Sequence, residues 1–395
     1  MAFAGGAVGM RPQPTITDPI RVMVVDDSVV VRGLIGRWID EDPALAVVAS
    51  HRNGKLAVDD VQRSNPDVVV LDVEMPEMDG MTALPLLLKA KPGLVVVMAS
   101  TLTRRNAEIS LKCLSLGAAD YVPKPESNSG VTTSADFKRE VVQKIKALGA
   151  RAAIRSGRTI PSSTMPARPM SQSSAPVASR PTASLAAAKS GTAPSLRTYS
   201  SLVPKILLIG SSTGGPQALA KLFSDIGPAI GNVPVLVTQH MPATFTAILA
   251  EHLTKASGRR AAEGTHGEPL MPGRIYVAPG GKHMVVGKNG LDVCVLLNDQ
   301  PPVNFCKPAV DPLFESAVPL FGAGILASVL TGMGHDGAAG ATRIADAGGS
   351  VIAQDEETSV VWGMPGAVAQ AGAAAEILPL DQIGPKMTRI LGGRR

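Results

Sequence analysis

Short apolar runs alternate with amphipathic stretches along the first third of the chain. The runs are rich in Val and bounded by turn residues, which indicates buried strands; they are Arg21–Val25, Ala46–Ala49, Val68–Asp72, Leu94–Ala99 and Asp120–Val122. Between the first two, Val30, Leu34 and Trp38 recur at helical spacing over Val29–Ile39. Strands that alternate with helices predict a parallel sheet covered on both faces, here a flavodoxin-like α/β domain.

The second half of the chain begins with the same alternation. An apolar run over Lys205–Ile209 precedes a helical stretch over Pro216–Phe223. Further apolar runs predict strands at Val233–Thr238, Arg274–Ala278, Leu326–Leu330 and Ser350–Ala353. We therefore expect a second α/β domain with a mainly parallel sheet.

Between these two regions the composition changes to Ala, Ser, Pro, Thr and Arg. Residues 147–200 contain no Asp or Glu and show no sustained hydrophobic period. Such a segment buries too little apolar surface to offset the entropy of ordering it. For the 395 residues, the sequence therefore predicts a flexible tail over 1–19, a first domain over 20–146, a disordered basic linker over 147–200 and a second domain over 201–395.

The formal net charge of +5 by itself favours a nucleic-acid partner. The linker carries seven basic and no acidic side chains, whereas residues 1–146 carry 17 basic and 18 acidic ones and residues 201–395 carry 14 and 15. Each folded block is thus −1, and the basic character belongs to the linker. We expect no nucleic-acid partner; the linker charge suits acidic partners or an anionic membrane surface instead.

Cysteine usage and hydropathy bear on the compartment. Cys113, Cys294 and Cys306 are too few for a disulfide framework and lack the paired spacing of a structural zinc site. No apolar run approaches the roughly 20 residues that span a bilayer, and residues 1–19 lack the layout of a secretory signal. We expect a cytoplasmic protein.

Acidic residues stand where strands of the first domain end. Asp26 and Asp27 follow the first strand, and Asp72 ends the third. In an open α/β sheet these ends meet at one edge, so the three carboxylates would repel one another unless a hard cation such as Mg²⁺ joined them. Ser100 and Lys124, at the ends of strands four and five, would contact an oxyanion on Asp72. Alternatively, Asp26 and Asp27 cap the following helix.

A glycine-rich turn opens the second domain. Gly210 and Gly214 flank Ser212 in the G-x-S-x-G sense, which places a serine on a tight strand-to-helix turn beside free backbone N–H groups. The turn lacks the lysine of a P-loop and the spacing of a dinucleotide site. A phosphate loop and a plain turn nevertheless stay open as alternatives to a nucleophile.

A serine nucleophile needs a base and an orienting acid. Of the six histidines, His240, His283 and His335 follow predicted strands. Asp311 and Asp336 lie in loops beside apolar elements. Spacing alone leaves each of the three histidines open as the base, and a structural role is open for each as well.

The first domain resembles the receiver domain of bacterial two-component response regulators. The resemblance covers about residues 20–146 and rests on Asp26-Asp27, on Asp72 within LDVEMPEMDG, on Ser100-Thr101, and on Tyr121 before Lys124-Pro125. It implies that a chemotaxis histidine kinase phosphorylates Asp72 and that Asp26, Asp27 and Asp72 hold Mg²⁺. It also implies a switch of Ser100, Tyr121 and Lys124 that reports the phosphoryl group.

The second domain resembles the catalytic domain of the chemotaxis protein-glutamate methylesterases, the CheB family. Four motifs in order carry the resemblance: Ile209-Gly-Ser-Ser-Thr-Gly-Gly215, Gln239-His-Met-Pro242, Ala278-Pro-Gly-Gly281 and Leu330-Thr-Gly-Met-Gly-His-Asp-Gly-Ala338. The resemblance implies Ser212 as nucleophile, His240 as base and Asp336 as orienting acid. The backbone N–H groups of Thr213 and Met333 are candidate oxyanion donors.

The implied activity is hydrolysis of glutamate 5-methyl esters on methyl-accepting chemotaxis receptors, with release of methanol and deamidation of certain receptor glutamines. The esterase chemistry needs no cofactor, and association with receptor arrays would be peripheral. The receiver domain would cover the catalytic groove while Asp72 is unmodified. Phosphorylation would shift the equilibrium towards an open form and raise the esterase activity. Two other classes compete: a DNA-binding response regulator, which needs a basic output domain, and a catalytically inactive binding module, which the intact Ser212, His240 and Asp336 disfavour.

Overall fold

The computed structural model describes residues 18–124, 131–155 and 195–394, without the side chains of residues 131–134, 136, 154 and 155. The predicted tail up to residue 17 and residues 156–194 of the predicted linker lie outside these ranges. In the described part of the chain, no helix is both long enough and apolar enough to cross a membrane.

The first domain is a five-stranded parallel sheet with helices on both faces. Its strands are β1 (Ile20–Val25), β2 (Leu45–His51), β3 (Val68–Asp72), β4 (Val95–Ser100) and β5 (Asp120–Pro123), and its helices are α1 (Val29–Asp40), α2 (Gly54–Ser64), α3 (Gly80–Ala90), α4 (Arg104–Ser115) and α5 (Val131–Arg155). All positions of β3 and β4 are buried, as expected for parallel strands covered on both sides. The strand order β2-β1-β3-β4-β5 confirms the flavodoxin-like prediction.

The end of this domain differs from the prediction. Helix α5 continues to Arg155, past the predicted boundary at residue 146, and Leu148, Ala152 and Ala153 in this extension are buried. At the other end of the predicted linker, Arg197 forms an ion pair with Asp346 at 2.9 Å. Both ends of the predicted linker range thus pack against folded parts of the chain. Composition alone does not indicate this packing, because a few apolar residues at helical spacing barely change the average composition.

The second domain is built on a larger parallel sheet. Its strands are β6 (Ile206–Ser211), β7 (Val235–Gln239), β8 (Ala261–Glu263), β9 (Ile275–Val277), β10 (His283–Asn289), β11 (Asp292–Asn298), β12 (Ile325–Val329), β13 (Ser350–Gln354) and β14 (Glu376–Leu378). Its α-helices are α6 (Gly215–Ile226), α7 (Phe245–Ser257), α8 (Val310–Phe321), α9 (Ala338–Asp346), α10 (Met364–Gln370) and α11 (Leu380–Leu391), with short 3₁₀ turns at Ala229–Asn232 and Gly322–Gly324.

Seven of these strands form one sheet in the order β14-β13-β12-β6-β7-β9-β8, and every pair in it is parallel. Strand β6 is central, with β7 on one side and β12 on the other. The chain order reverses there, and ligands of open α/β sheets bind outside the carboxyl ends of the strands at such a point. The loops after β7, β6 and β12 therefore meet at one crevice.

An antiparallel hairpin of β10 and β11 was not predicted. It turns at Asn289 to Asp292 around Gly290, whose φ is +64°. His283, which the sequence places in a loop after a strand, is instead the first residue of β10. Glycine at the first of the two turn positions, Gly290-Leu291, is a short-range hairpin signal.

Candidate active site

The predicted nucleophile lies on the turn between β6 and α6. The amide of Ser212 donates to the carbonyl of Thr331 at 3.0 Å, and the amide of Gly215 donates back to the carbonyl of Ser212 at 2.7 Å. These bonds fix a half-buried serine beside the N-terminus of a twelve-residue helix. Partial positive charge at that end favours a developing anion.

Two glycines make the turn feasible. Gly214 has a φ of +76°, a left-handed backbone conformation that residues with a Cβ rarely adopt. At Gly332, in the loop after β12, a Cβ would lie 2.8 Å from the Cβ of Ser212. The loop after β12 can approach the nucleophile only because residue 332 is glycine.

The predicted base and acid form a direct pair. Nε2 of His240, which follows β7, donates to Oδ2 of Asp336 at 2.7 Å, and the two side chains are only 10% and 2% exposed. Ser212 and His240 follow adjacent strands, since Ser211 and Gln239 are paired across β6 and β7. The structure thus brings the ends of both strands to the His240–Asp336 pair.

The environment of Asp336 explains why it stays ionised. Its carboxylate also accepts from the amides of Val310 at 2.6 Å, Asp311 at 3.1 Å and Gly337 at 3.0 Å. The first two amides belong to the first turn of α8, where the helix dipole favours negative charge. Burial opposes ionisation, but the hydrogen bond and charge of His240 and these amides hold the pKa of Asp336 below its usual range.

The other ring nitrogen of His240 faces an unexpected residue. Sγ of Cys306 lies 3.3 Å from Nδ1 of His240. Burial lowers the pKa of His240, but the Cys306 sulfur and the Asp336 carboxylate more than offset this effect and raise the pKa to about 10. The sequence interpretation gave Cys306 no role, because the two residues are 66 positions apart and no motif joins them.

Ser212 and His240 are not hydrogen-bonded to each other among the residues described. Gln239, a residue that sequence reasoning also missed, connects their backbones. Its amide nitrogen donates to the carbonyl of Ser212 at 2.9 Å and to that of His240 at 3.2 Å, while its amide oxygen accepts from the Ser211 hydroxyl at 2.6 Å. Gln239 was within the quoted Gln-His-Met-Pro motif, which is the signal that could have found it. Catalytic hydrogen bonds in substrate-free enzymes often tighten only when substrate binds.

The candidate oxyanion donors are free for a ligand. In the described ranges, the backbone N–H groups of Thr213 and Met333 donate to no protein acceptor. The buried hydroxyl of Thr213 likewise has no partner there. Thr331 holds the neighbouring backbone, because its hydroxyl donates to the carbonyl of Thr213 at 2.9 Å. The geometry is suited to an oxyanion beside Ser212.

The other candidate histidines and acid have different environments. His283 is buried; its Nδ1 accepts from the amide of Ala309 at 3.2 Å and its Nε2 lies 3.1 Å from the Pro301 carbonyl, so backbone groups occupy both nitrogens. His335 is exposed. Asp311 lies behind Asp336, and burial, with the charge of Asp336, raises its pKa to about 7 against the opposing hydrogen bond from Gly340.

The first domain gathers its predicted carboxylates at the ends of β1 and β3. Each of Asp26, Asp27 and Asp72 offers one carboxylate oxygen, and these three oxygens lie within 4.8 Å of one another. Lys124 places Nζ 2.7 Å from Asp26 and 2.7 Å from Asp72. Burial raises the pKa of Asp72 to about 6, with Lys124 lowering it and the two other carboxylates adding to the rise. This donor set fits a hard, oxygen-preferring cation such as Mg²⁺.

The alternative that Asp26 and Asp27 cap helix α1 is not what the structure contains. The N-cap is Ser28, whose side chain accepts from the amide of Val31 at 3.4 Å. Asp26 supports this cap by accepting from the amide of Ser28 at 2.9 Å, and its second carboxylate oxygen faces Lys124. Asp27 is exposed at the mouth of the acidic cluster.

One of the predicted switch residues, Tyr121, contacts the second domain. Ser100 is buried and 2.9 Å from the hydroxyl of Ser110 in α4. The buried ring of Tyr121 stacks on the ring of Phe245, the first residue of α7, with centroids 4.5 Å apart and planes 6° from parallel. Gln217 in α6 donates to the carbonyls of Leu114 at 3.4 Å and Ala118 at 3.0 Å. The first domain therefore packs on the helices that follow the nucleophile and the base.

Two arginines of α5 reach loops near the active site. Arg151 donates to the carbonyls of Glu356, Glu357 and Val360 at 3.0, 2.7 and 3.3 Å. The guanidinium of Arg139 lies 4.4 Å from the centre of the Phe305 ring, next to Cys306. The amide of Val361, beside the first of these loops, donates to Thr331 at 3.0 Å. The last helix of the first domain thus holds segments that contact the nucleophile turn.

Comparisons with known proteins match both domains of the chain to known families. A family model for the CheB methylesterase matches residues 207–387, and one for the response regulator receiver domain matches residues 22–136. The chain is 56% identical over 401 residues to the protein-glutamate methylesterase/protein-glutamine glutaminase of group 2 operon from Bradyrhizobium diazoefficiens, which covers 100% of this chain and 99% of that protein.

A second relative of the same name, from Rhodopseudomonas palustris, is 57% identical over 378 residues and covers 96% of each chain. Among solved structures, the catalytic domain of the CheB methylesterase from Thermotoga maritima is 38% identical and covers 48% of this chain and 100% of its own, with a TM-score of 0.46. The identity over nearly the full length of both relatives shows that the chain belongs to the CheB family of protein-glutamate methylesterases with a response-regulator receiver domain.

Proposed function

We propose that the chain hydrolyses glutamate 5-methyl esters on methyl-accepting chemotaxis receptors, releases methanol, and deamidates specific receptor glutamines to glutamate. The single observation that carries the proposal is the meeting of three loops at one crevice: Ser212 after β6, His240 after β7 and Asp336 after β12. Nucleophile, base and orienting acid are the parts that acyl transfer needs.

The chemistry begins at Ser212. Its Oγ attacks the ester carbonyl while His240 takes the hydroxyl proton. Since Nε2 of His240 is bound to Asp336, the proton goes to Nδ1, which has to move from Cys306 towards the serine. Asp336 stabilises the imidazolium that forms, and the N–H groups of Thr213 and Met333 receive the oxyanion.

Collapse of the tetrahedral intermediate expels methanol, which takes the proton from His240 and leaves an acyl-enzyme on Ser212. Water then gives a proton to His240 and attacks the acyl carbon. The bond from that carbon to Oγ of Ser212 breaks, His240 returns the proton to Oγ, and the glutamate product leaves and ionises to a carboxylate. With a glutamine substrate the leaving group is ammonia and the same acyl-enzyme forms. One site therefore supports both methyl-ester hydrolysis and deamidation.

Control is assigned to the receiver domain. A histidine kinase supplies the phosphoryl group to Asp72. Asp26, Asp27 and Asp72 would hold Mg²⁺, which when bound would offset the negative charge of the phosphoryl group. Lys124 contacts the acceptor carboxylate, and Ser100 and Tyr121 respond to it. Tyr121 stacks on Phe245 and Arg151 binds the loop before Val361, so a change at Asp72 that moves Tyr121 or α5 reaches the catalytic domain through these contacts.

Association with receptor arrays is peripheral in this proposal, and the basic residues between the domains favour acidic surfaces. Residues 201–395, with 14 basic and 15 acidic side chains, offer no comparable excess of positive charge for nucleic acid.

The test is covalent labelling of the full chain with a serine-directed phosphonate. The proposal expects one adduct on Ser212, lost in Ser212→Ala and strongly slowed in His240→Ala. Ser224→Ala, an exposed serine on α6 whose hydroxyl bonds only within that helix, is the matched control and keeps the adduct on Ser212. An adduct elsewhere, or unchanged labelling in His240→Ala, contradicts the assignment.

A further inference from the structure

We propose that Cys306 is an activated thiol, and that its covalent modification by small electrophiles, peroxides among them, switches the esterase off. The activation stands on the geometry alone, whereas the loss of esterase activity rests on the proposed function. The site is a set of three side chains, Cys306, His240 and Asp336, rather than a cysteine by itself.

The arrangement has the parts of a nucleophilic triad. Sγ of Cys306 lies 3.3 Å from Nδ1 of His240, and Nε2 of the same ring lies 2.7 Å from Asp336. A thiol beside an imidazole that an acid orients can pass its proton to the ring when it attacks. In this structure, the ring nitrogen that has to serve Ser212 is occupied by sulfur.

Access separates Cys306 from the other cysteines. Cys113 and Cys294 have no exposed surface, whereas Cys306 is partly exposed. Burial raises the pKa of Cys113 to about 11, which further suppresses its thiolate. A reagent in solution therefore meets one accessible thiol, and that thiol touches the catalytic base.

The backbone keeps Cys306 at the ring. Cys306 and Val303 exchange two backbone hydrogen bonds, of 2.9 and 3.1 Å. The two residues between them, Asn304 and Phe305, have φ values of +51° and +65°, which close a tight turn. The sulfur is therefore presented to His240 by a closed hairpin and not by a free loop.

With hydrogen peroxide, Sγ attacks one peroxide oxygen, so that the S–O bond forms as the O–O bond breaks. The proton that Cys306 shares with Nδ1 of His240 goes to the departing hydroxide, which leaves as water. Sulfur loses two electrons and the peroxide gains them, giving a sulfenic acid. With iodoacetamide, an S–C bond replaces the C–I bond, and iodide and a proton leave.

Either product adds atoms against Nδ1 of His240. That nitrogen has to accept the proton of Ser212 in the proposed mechanism. The modified chain therefore lacks a usable base although Ser212, His240 and Asp336 are unchanged. A thiol can reverse the sulfenic acid through a disulfide, whereas the alkylated form stays inactive.

The test uses the full chain and iodoacetamide, with labelling at each cysteine followed by peptide mass spectrometry. We expect Cys306 to be labelled at least about tenfold faster than Cys113 or Cys294, and His240→Ala to slow labelling of Cys306 about tenfold or more, because the proton acceptor is gone. His252→Ala, a histidine on α7, is the matched control and leaves the rate unchanged. Equal rates in the wild type and His240→Ala would overturn the activation.

Methanol release is measured on the same samples. In the wild type, we expect the loss of methanol release to follow the fraction of Cys306 that is modified. In Cys306→Ser and Cys306→Ala, we expect neither iodoacetamide nor peroxide to lower the methanol release that the variant retains. Complete labelling with unchanged methanol release would overturn the switch. A wild-type chain that releases no methanol before treatment would instead contradict the proposed function, and the labelling rates would still decide whether Cys306 is activated.

Discussion

The ring of Tyr121, in the last strand of the receiver sheet, lies parallel to the ring of Phe245, which begins the helix after the catalytic base, with 4.5 Å between centroids. The stack joins the predicted phosphorylation switch to the esterase domain. Rotation of Tyr121 out of this contact would remove the stacking, so any change at Asp72 that moves Tyr121 also weakens the domain interface.

Loosening this interface is expected to raise basal activity. Gln217→Ala removes two hydrogen bonds to the receiver, at Leu114 and Ala118. Each contributes about 1 kcal/mol, so methanol release without phosphodonor should increase several-fold. Lys221→Ala is the control on the same helix, since Lys221 pairs with Asp225 of its own helix. Equal basal rates in Gln217→Ala and Lys221→Ala would count against inhibition by the docked receiver.

His240 contacts Asp336 in space, and His335 precedes it in sequence. Replacing these two histidines with alanine is expected to have very different effects on turnover. His240→Ala removes the group bound to Asp336 and should lower kcat about 10⁴-fold or more. His335 precedes Asp336 in the chain but is exposed, so His335→Ala should keep most of the turnover. Steady-state methanol release from methylated receptor distinguishes the two, and a larger loss in His335→Ala would reverse the assignment of the base.

Asp336 is also expected to support the fold. Asp336→Ala leaves the buried amides of Val310, Asp311 and Gly337 without their acceptor and should lower the free energy of unfolding by about 3 kcal/mol. Asp336→Asn keeps one acceptor oxygen and should cost less. The measurement is urea unfolding followed by Trp362 fluorescence in a Trp38→Phe background.

The control for this series is Asp346→Ala, which breaks an exposed ion pair with Arg197 and should cost less than about 1 kcal/mol. If Asp336→Ala were no more destabilising than Asp346→Ala, Asp336 would not hold the first turn of α8.

The pH profile of the esterase should reflect the contacts that His240 makes in the substrate-free structure. The Cys306 sulfur and the Asp336 carboxylate, against the effect of burial, raise the pKa of His240 to about 10. The imidazolium then persists to higher pH than in an ordinary histidine, and only the neutral ring accepts the serine proton. The value of kcat/KM should therefore keep rising from about pH 7 to pH 9, whereas an unperturbed imidazole would level off near pH 7.5. A plateau already at neutral pH would contradict these contacts.

Much of the fold follows from local patterns. Runs such as Val68–Asp72 are apolar throughout because parallel strands are buried on both faces, and this makes them easy to locate. The Gly-rich turn at Ser212 carries its own signal, since the backbone requires a left-handed Gly214 two residues later. These features are encoded within a few residues and are legible in sequence.

The contacts that sequence could not supply are those between distant segments. Cys306 meets His240 through a hairpin 66 residues away, and Arg151 meets the loop at Val360 across 209 residues. Neither contact leaves a periodic or spaced pattern, because tertiary packing alone creates it. For the same reason the predicted domain boundary at residue 146 falls inside helix α5, whose last turns are stabilised by burial of Leu148 and Ala152.

The most direct test of phosphorylation-controlled ester hydrolysis is methanol release from methylated receptor by the full chain, with Mg²⁺, in the presence and absence of a small-molecule phosphodonor. We expect the phosphodonor to raise the rate in the wild type and to have no effect in Asp72→Asn, and we expect Ser212→Ala to release no methanol in either condition. Methanol release by Ser212→Ala at the wild-type rate, or equal stimulation of Asp72→Asn and the wild type, would contradict phosphorylation-controlled ester hydrolysis.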